Sequence, residues 1–373
     1  MRMTNLYLAG VGSYVPEPFP ARRAVAEGRY DEQDWRASGW SGAAVAGDIS
    51  APEMAVIAAE QALDRSGHTR DDIALLLHAS VGDQGPDGWS PHHYVLRHAV
   101  GGTIPAVEIR QGCNGVLAGM ELAHGYLTGG PGRAAALVTG ADNFGVARFD
   151  RWRYASGTNT GRGSIIGDAA TAVVLSTSDG FAQVKAMNSA SLPELEQMNR
   201  PDGPLFPPAL TFDRPVDVAD RLNSFTRRFP QAAAAAKKSL SDARTELALR
   251  TIADAGITPA DIVRSTHVFS GGDGYIRGML APIGIDPARG MLELGRRLGH
   301  LSVSDHLVAL THLVESRHVG PGDHVLMISN GVGVSLAAAV VQITTLPVWA
   351  TGTPQPFRET VAREEPVAAG SAR

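Results

Sequence analysis

Two stretches of the chain repeat each other at a nearly constant spacing, and this limits the architecture more than any other feature. Thr69–Ile73 reads TRDDI after Gly67, and Thr258–Ile262 reads TPADI after Gly256, 189 positions later. Ser80–Asp83 (SVGD) and Ser270–Asp273 (SGGD) are 190 apart. PGRAAALVTGAD opens at Pro131 and PGDHVLMISNGV at Pro321, again 190 apart. Three matches in one order at one offset mark a duplicated unit. In each copy a helix ends near a glycine, a T-x-x-D-I turn follows, and an apolar strand comes next (Ala74–Ala79; Ser265–Phe269). A helical stretch then leads to Pro-Gly and a second strand (Ala134–Thr139; His324–Ser329). Strands alternating with helices predict an α/β fold whose sheets are covered by helices. The period is far too long for a solenoid. Two pseudo-equivalent halves, 1–177 and 178–345, should pack together with the site at their junction. Ala169–Ser176 (AATAVVLS) has a buried-strand pattern that closes the first half. The middle, Glu194 to Leu247, is expected to form loops and an amphipathic helix over the entrance. The Pro-rich polar tail, 350–373, is expected to be disordered.

Composition narrows the function classes. With 44% hydrophobic and 19% charged residues the chain is of a soluble globular type. Its net charge of -5 and the lack of a clustered basic face argue against nucleic acid. Arg227, Arg228, Lys237 and Lys238 make one small basic patch, which suits a solvated helix face or an acidic-partner contact. One cysteine forbids an intrachain disulfide. The start has no signal-peptide layout and its apolar alternation fits a first strand, while no segment has membrane-spanning length. A cytoplasmic enzyme is the expectation.

The single cysteine, Cys113, sits in VEIRQGCNGVLAGMELAHGYL. Val107–Ile109 fits a strand end, Gly112 and Gly115 flank the turn, and Val116, Leu117, Met120, Leu122 and Ala123 continue as an apolar helix. The thiol is thus expected at a helix N-terminus, where unpaired N–H groups and the macrodipole favour a thiolate. Glycines on both sides allow close approach of a backbone or substrate. From the turn alone two readings stand, a small buried hydrophobe and a nucleophile.

Three segments together resemble the ketoacyl synthase III type of the thiolase superfamily: the Cys113 turn, IIGDAATAVVLS at 165–176 and NGVGVSLAAAVVQI at 330–343. The resemblance covers residues 1–345. It implies a five-layered αβαβα thiolase fold, a homodimer, and a site fed by acyl-CoA or an acyl carrier protein as co-substrate, with no bound cofactor and no metal. It also implies Cys113 as the acyl-accepting nucleophile. The Gly331–Gly333 turn would supply the second oxyanion-hole donor, the Val332 amide, beside the amide of Cys113. Trp35 and Arg162 match the tryptophan and arginine that sandwich the adenine of coenzyme A, a sound pairing of indole and guanidinium with a purine.

The chain departs from that family at two places. Relatives carry a His in an H-Q-A-N segment and an Asn in a G-N-T-S segment, which together hold a malonyl thioester during decarboxylation. Here the first segment is VFSGGDGYI, with Ser270 at the His position, and the second is GHLSVSDHLVAL, with His300 at the Asn position. Serine cannot replace an imidazole, so a thiol with one imidazole remains. A Cys–His pair suffices for acyl transfer, with His300 as general base and Asp305 orienting it. The five-residue spacing is poor within a helix but relaxes if His300 precedes the first turn. The repeat supports His300 independently. The residue 18 before Pro131 is Cys113 and the residue 18 before Pro321 is Val303, three from His300, so both side chains stand near the starts of corresponding helices. His78, His267, His312, His318 and His324 are expected to be structural, His92 and His93 to be surface residues, and Asp168 and Asp273 to be turn residues bonded to backbone.

These features predict an acyltransferase that loads an acyl group onto Cys113 and passes it to a hydroxyl or amine of a small molecule in specialised metabolism. The alternatives are a decarboxylating 3-oxoacyl synthase that primes a fatty-acid or polyketide chain, and a non-catalytic partner of another synthase.

Overall fold

The computed structural model of the chain describes residues 1–155, 165–200, 205–206 and 215–352, so the expected disordered tail lies outside them from residue 353 onward. In chain order the first half holds β1 (Tyr7–Tyr14), β2 (Pro18–Pro20), α1 (Ala21–Ala26), α2 (Glu32–Ser38), β3 (Gly42–Ala44), α3 (Ala51–Asp64), β4 (Ile73–Ala79), α4 (Pro91–Val95), β5 (Ala106–Ile109), α5 (Gly115–Thr128), β6 (Ala135–Asp142) and β7 (Ala169–Ser176). The second half holds β8 (Ala182–Ser191), α6 (Val218–Arg228), α7 (Pro230–Asp254), β9 (Ile262–His267), α8 (Asp273–Leu280), α9 (Leu292–Leu298), α10 (Asp305–Glu315), β10 (His324–Gly331) and β11 (Ser335–Ile343).

The duplication is visible in the topology. β4 runs parallel to β6, which pairs antiparallel with β7, and β7 with β1. β9 runs parallel to β10, which pairs antiparallel with β11, and β11 with β8. The two sheets meet edge to edge where Tyr7 and Leu8 pair with Gln183 and Ala182. The described strands therefore form one nine-stranded sheet in the order β5-β4-β6-β7-β1-β8-β11-β10-β9. The T-x-x-D-I repeat has a physical cause. The N–H and hydroxyl of Thr69 donate to Asp72 Oδ2 at 2.7 and 2.8 Å, and those of Thr258 to Asp261 Oδ2 at 2.8 and 2.7 Å. Each bond pair caps a one-turn 3-10 helix that delivers the chain into β4 or β9.

Side-chain alternation along the strands separates five layers. Leu75, Leu77, Val138 and Val173 of the first half join Val325, Met327 and Val341 of the second in one central core with α5 and α10. Leu76, Leu137 and Val174 face the opposite way onto α3. Leu326, Ile328 and Val340 face outward onto α7 and α8. The order is α3, sheet, α5 with α10, sheet, α7, which is the expected αβαβα arrangement.

Four local outcomes refine the expectations. β9 ends at His267, before Phe269, because the Phe269 N–H is committed to the Asp305 carboxylate. The middle segment forms two helices over the site, since Pro230 pushes Phe229 out of helical geometry (φ -132°, ψ 63°). Asp168 does accept backbone N–H bonds, from Ala46 and Phe144 at 2.8 Å each, but it also pairs with Arg151 at 2.7 Å in the interior and is more than a turn residue. Asp273 does not bond backbone; it opens α8, stays exposed and pairs with Arg277.

Helix α3 approaches β1 unusually closely. Its buried face includes five alanines, Ala51, Ala55, Ala58, Ala59 and Ala62, beside Pro52, Met54 and Leu63. A Cβ on Gly12 would stand 2.0 Å from the Ala58 carbonyl oxygen, and one on Gly10 would stand 2.2 Å from that of Ala62. Gly12→Ala must push the helix off the sheet. It should cost about 2–3 kcal/mol, read as a lower urea midpoint with an unchanged slope.

Candidate active site

Cys113 is delivered by β5 and a tight turn. Gly112 has φ +57°, which favours glycine, and begins the 3-10 turn Gly112–Asn114 that leads into α5. A Cβ at Gly112 would lie 2.8 Å from the Val332 nitrogen, so the Gly331–Gly333 turn is packed directly on the cysteine turn. A Cβ at Gly331 would meet the Gln111 carbonyl oxygen at 2.7 Å. Asn114 Nδ2 donates to Ser335 Oγ at 2.9 Å and joins the cysteine turn to the start of β11. The amide of Cys113, inside the first turn, has no intrahelical acceptor. The amides of Cys113 and Val332 thus belong to two turns locked against each other.

His300 comes from the other half. It precedes α10 and is held by a bridge: its N–H donates to the Ile165 carbonyl, and its own carbonyl accepts from Gly167, both at 2.9 Å. Asp305 is the first residue of α10, so the five-residue separation spans an irregular turn and not a helix face. His300 Nδ1–H donates to Asp305 Oδ2 at 2.6 Å, which turns Nε2 toward Cys113 Sγ at 3.1 Å. Asp305 has no exposed surface. It also accepts from the N–H groups of Leu301 at 2.7 Å and Phe269 at 3.0 Å. Burial alone would push the His300 pKa down, but the Asp305 charge, Cys113 and the hydrogen bonds to both raise it well above 6.5. The charged imidazole thus stands between the Asp305 carboxylate and the Cys113 sulfur.

Cys113 and His300 open onto a cavity walled by Tyr154, Val218, Leu222 and Leu240 and by Phe269, Ser270, Tyr275 and Asn330. Among the described residues that line it, His300 is the one histidine. Ser270 bonds its own turn, with Oγ 3.3 Å from the Gly272 nitrogen. His267, beside it in sequence, is turned away: Nδ1 donates to the Val268 carbonyl and Nε2 accepts from Met291 N–H at 2.9 Å. Burial lowers its pKa and keeps it neutral. Trp35 sits on α2 with its indole N–H donating to the Trp40 carbonyl at 3.0 Å. Its expected partner Arg162 lies outside the described residues. Among the cavity residues that sequence patterning missed are Asn330, Tyr154 and Tyr275. Asn330 directly precedes the Gly331 turn and was within reach of motif reading. Tyr154 and Tyr275 carry no periodic or motif signal.

Two family models match the chain, 3-oxoacyl-(acyl-carrier-protein) synthase III over residues 107–191 and its C-terminal domain over residues 252–343. A curated relative, β-ketoacyl-(acyl-carrier-protein) synthase III 2 of Vibrio vulnificus strain CMCP6, is 26% identical over 297 residues, 79% of this chain and 76% of its own. Among solved structures, ChlB3, described as an acyltransferase, is 41% identical with a TM-score of 0.84, and the match covers 92% of this chain and 99% of ChlB3. The 3-oxoacyl-(acyl-carrier-protein) synthase III of Aquifex aeolicus VF5 shares the fold, with a TM-score of 0.71 at 17% identity, over 90% of this chain and 99% of its own. Among the described residues no helix is long and apolar enough to cross a membrane.

The His300–Asp305 pair can be tested by stability. His300→Gln leaves Asp305 buried and short of a counter-charge, which should cost about 3 kcal/mol near pH 6. The folded pKa of His300 lies above the unfolded value near 6.5, so the pair's contribution is complete below that value and is lost as pH rises through the folded one. The melting-temperature gap between wild type and His300→Gln, followed from about pH 6 to about pH 10, should close with rising pH. A gap that stays constant would contradict a charged imidazole.

Proposed function

The chain belongs to the ketoacyl synthase III-like enzymes of the thiolase superfamily, and within that family we propose that it is an acyltransferase working through a Cys113 thioester. The donor is an acyl thioester of coenzyme A or a carrier protein, and the acceptor is a hydroxyl or amine of a small molecule in specialised metabolism. The observation that carries this reading is the one imidazole among the described residues lining the cavity, held between Cys113 and Asp305, with Ser270 bonded back to its own turn. Decarboxylative condensation needs a second polar arm on the incoming malonyl carbonyl, and Ser270 offers none in this geometry. The 41% identity to ChlB3, described as an acyltransferase, points the same way.

The steps balance with the residues present. The Cys113 sulfur attacks the thioester carbonyl, and the oxyanion forms between the amides of Cys113 and Val332. As the carbon–sulfur bond to the donor breaks, His300 Nε2 gives its proton to the departing thiolate, which leaves as the thiol. The neutral imidazole then takes a proton from the acceptor hydroxyl or amine while that atom attacks the acyl-enzyme. Collapse returns the Cys113 sulfur as a thiolate beside the recharged imidazolium. Asp305 holds Nδ1–H throughout, so Nε2 is the exchanging nitrogen in both halves. Trp35, with Arg162, would hold the adenine when the donor is coenzyme A. The open edge of β5 and the exposed Val107 and Leu122 near it suit the association of two copies.

Intact-protein mass spectrometry after mixing with acyl-CoA or acyl carrier protein should show one acyl mass on the wild type and none on Cys113→Ala. His300→Ala should slow acyl release to an acceptor by roughly a hundredfold or more. Acyl mass persisting on Cys113→Ala would sink the proposal. Release of carbon dioxide from malonyl carrier protein with carbon–carbon bond formation would favour the condensing alternative.

A further inference from the structure

The cavity above Cys113 contains a polar feature that the acyl-transfer steps do not use. On the α6 and α7 side its walls are apolar, through Val218, Leu222 and Leu240. Asn330 also lines it, one residue before the turn packed on Gly112. Along β10, Met327 belongs to the central core and Ile328 to the outer one. Asn330, two residues beyond Ile328, therefore projects to the outer side, where Tyr275 of α8 meets it. The Tyr275 hydroxyl donates to Asn330 Oδ1 at 2.9 Å. With Oδ1 so occupied, the carboxamide presents Nδ2 and its two N–H donors, and no described residue accepts from them. A fixed amide donor set against apolar walls is how pockets fix the orientation of a ligand.

We propose that Asn330, positioned by Tyr275, selects acyl groups that carry a hydrogen-bond-accepting oxygen close to the thioester carbonyl over hydrocarbon acyl groups of the same size. The inference rests on the acyl-transfer reading. With the acyl carbonyl oxygen at the Val332 amide, Asn330 is two residues away, at most about 7 Å between Cα atoms. Its side chain then reaches an oxygen borne on the second or third carbon of the acyl group. A hydroxyl or carbonyl there satisfies an Nδ2–H. A plain alkyl chain displaces water from the amide and returns no partner, so it is the poorer substrate.

The test compares two donors with the same arm, 3-hydroxybutyryl and butyryl pantetheine thioesters, by the rate at which each adds mass to Cys113. The wild type should prefer the oxygenated donor by about tenfold or more. Asn330→Leu should bring that ratio close to one, and Tyr275→Phe, which frees the carboxamide to rotate, should give an intermediate ratio. Melting temperatures near the wild-type value establish that the variants are folded. A ratio unchanged in Asn330→Leu overturns the proposal, whether both rates stay the same or both fall together, because the amide then serves the shared arm or the fold. Failure of either donor to acylate wild-type Cys113 would instead overturn the acyl-transfer reading, and this inference with it.

Discussion

The Asp305 carboxylate is the interaction on which the site depends. It has no exposed surface, so both of its oxygens must find donors within the protein. The three donors that use it come from separate elements: Phe269 at the end of β9, Leu301 in the irregular turn, and the His300 ring. One buried charge thereby decides where a strand stops, how the chain enters α10, and which imidazole nitrogen faces the sulfur. The strand is shortened by the same N–H that builds the active site. His300 follows from this arrangement: its charge is favoured by Asp305 and Cys113 despite burial, and its tautomer is set by the bond on Nδ1. Geometry and electrostatics therefore have one source.

The duplicated halves were legible because their matching residues do local work. Thr69 with Asp72 and Thr258 with Asp261 are three-residue caps, so identical chemistry leaves an identical short motif. Strand interiors were legible from apolar runs, and Ala169–Ser176 has the bounds its pattern suggested. The Cys113 turn could be read from its glycines, and His300 from its place at the family's Asn position, with the repeat setting it three residues from the counterpart of Cys113. Contacts between residues distant in the chain left no such trace. Arg151 with Asp168 and Tyr275 with Asn330 are joined only by the fold. Asp168 looked like a turn residue because its backbone bonds are the local part of its role.

Duplication alone would place like residues at the two helix starts, and the site exists because they differ. Gly112 and Ser302 are 190 positions apart and share φ +57°, so the backbone turn is retained in both halves. A serine in that left-handed conformation carries strain that glycine avoids. At the next position Cys113 in one half answers to Val303 in the other, and the helices then open with Gly115 and Asp305. One half supplies the sulfur on a glycine-lined turn, and the other supplies the carboxylate that fixes the imidazole. A symmetric pair would give two sulfurs or two acids, and neither pair sets an imidazole held by a carboxylate against a sulfur.

The same comparison explains why the cavity beside Cys113 lies at the second-half end of the junction. Asn330 corresponds to Gly140, where a Cβ would stand 2.5 Å from Val116 Cγ2 and 2.9 Å from Val303 Cγ2. That end of β6 is filled by the two valines. Val332 corresponds to Asp142, whose buried carboxylate accepts from Val81 and Gly82 and is pushed up to about 6 by burial. In the first half a side chain thus occupies the donors of the facing loop. In the second half the equivalent turn offers a backbone amide, and in its neighbouring loop, at Ser270 to Gly272, the Ser270 hydroxyl is taken up by the Gly272 N–H and the Gly271 carbonyl by Arg296. Filling one end of the duplicated sheet while leaving the other lined by Asn330, Val332 and Ser270 gives a symmetric fold an asymmetric cavity beside Cys113 and His300. The residues that broke the symmetry are also those that shape the space above Cys113.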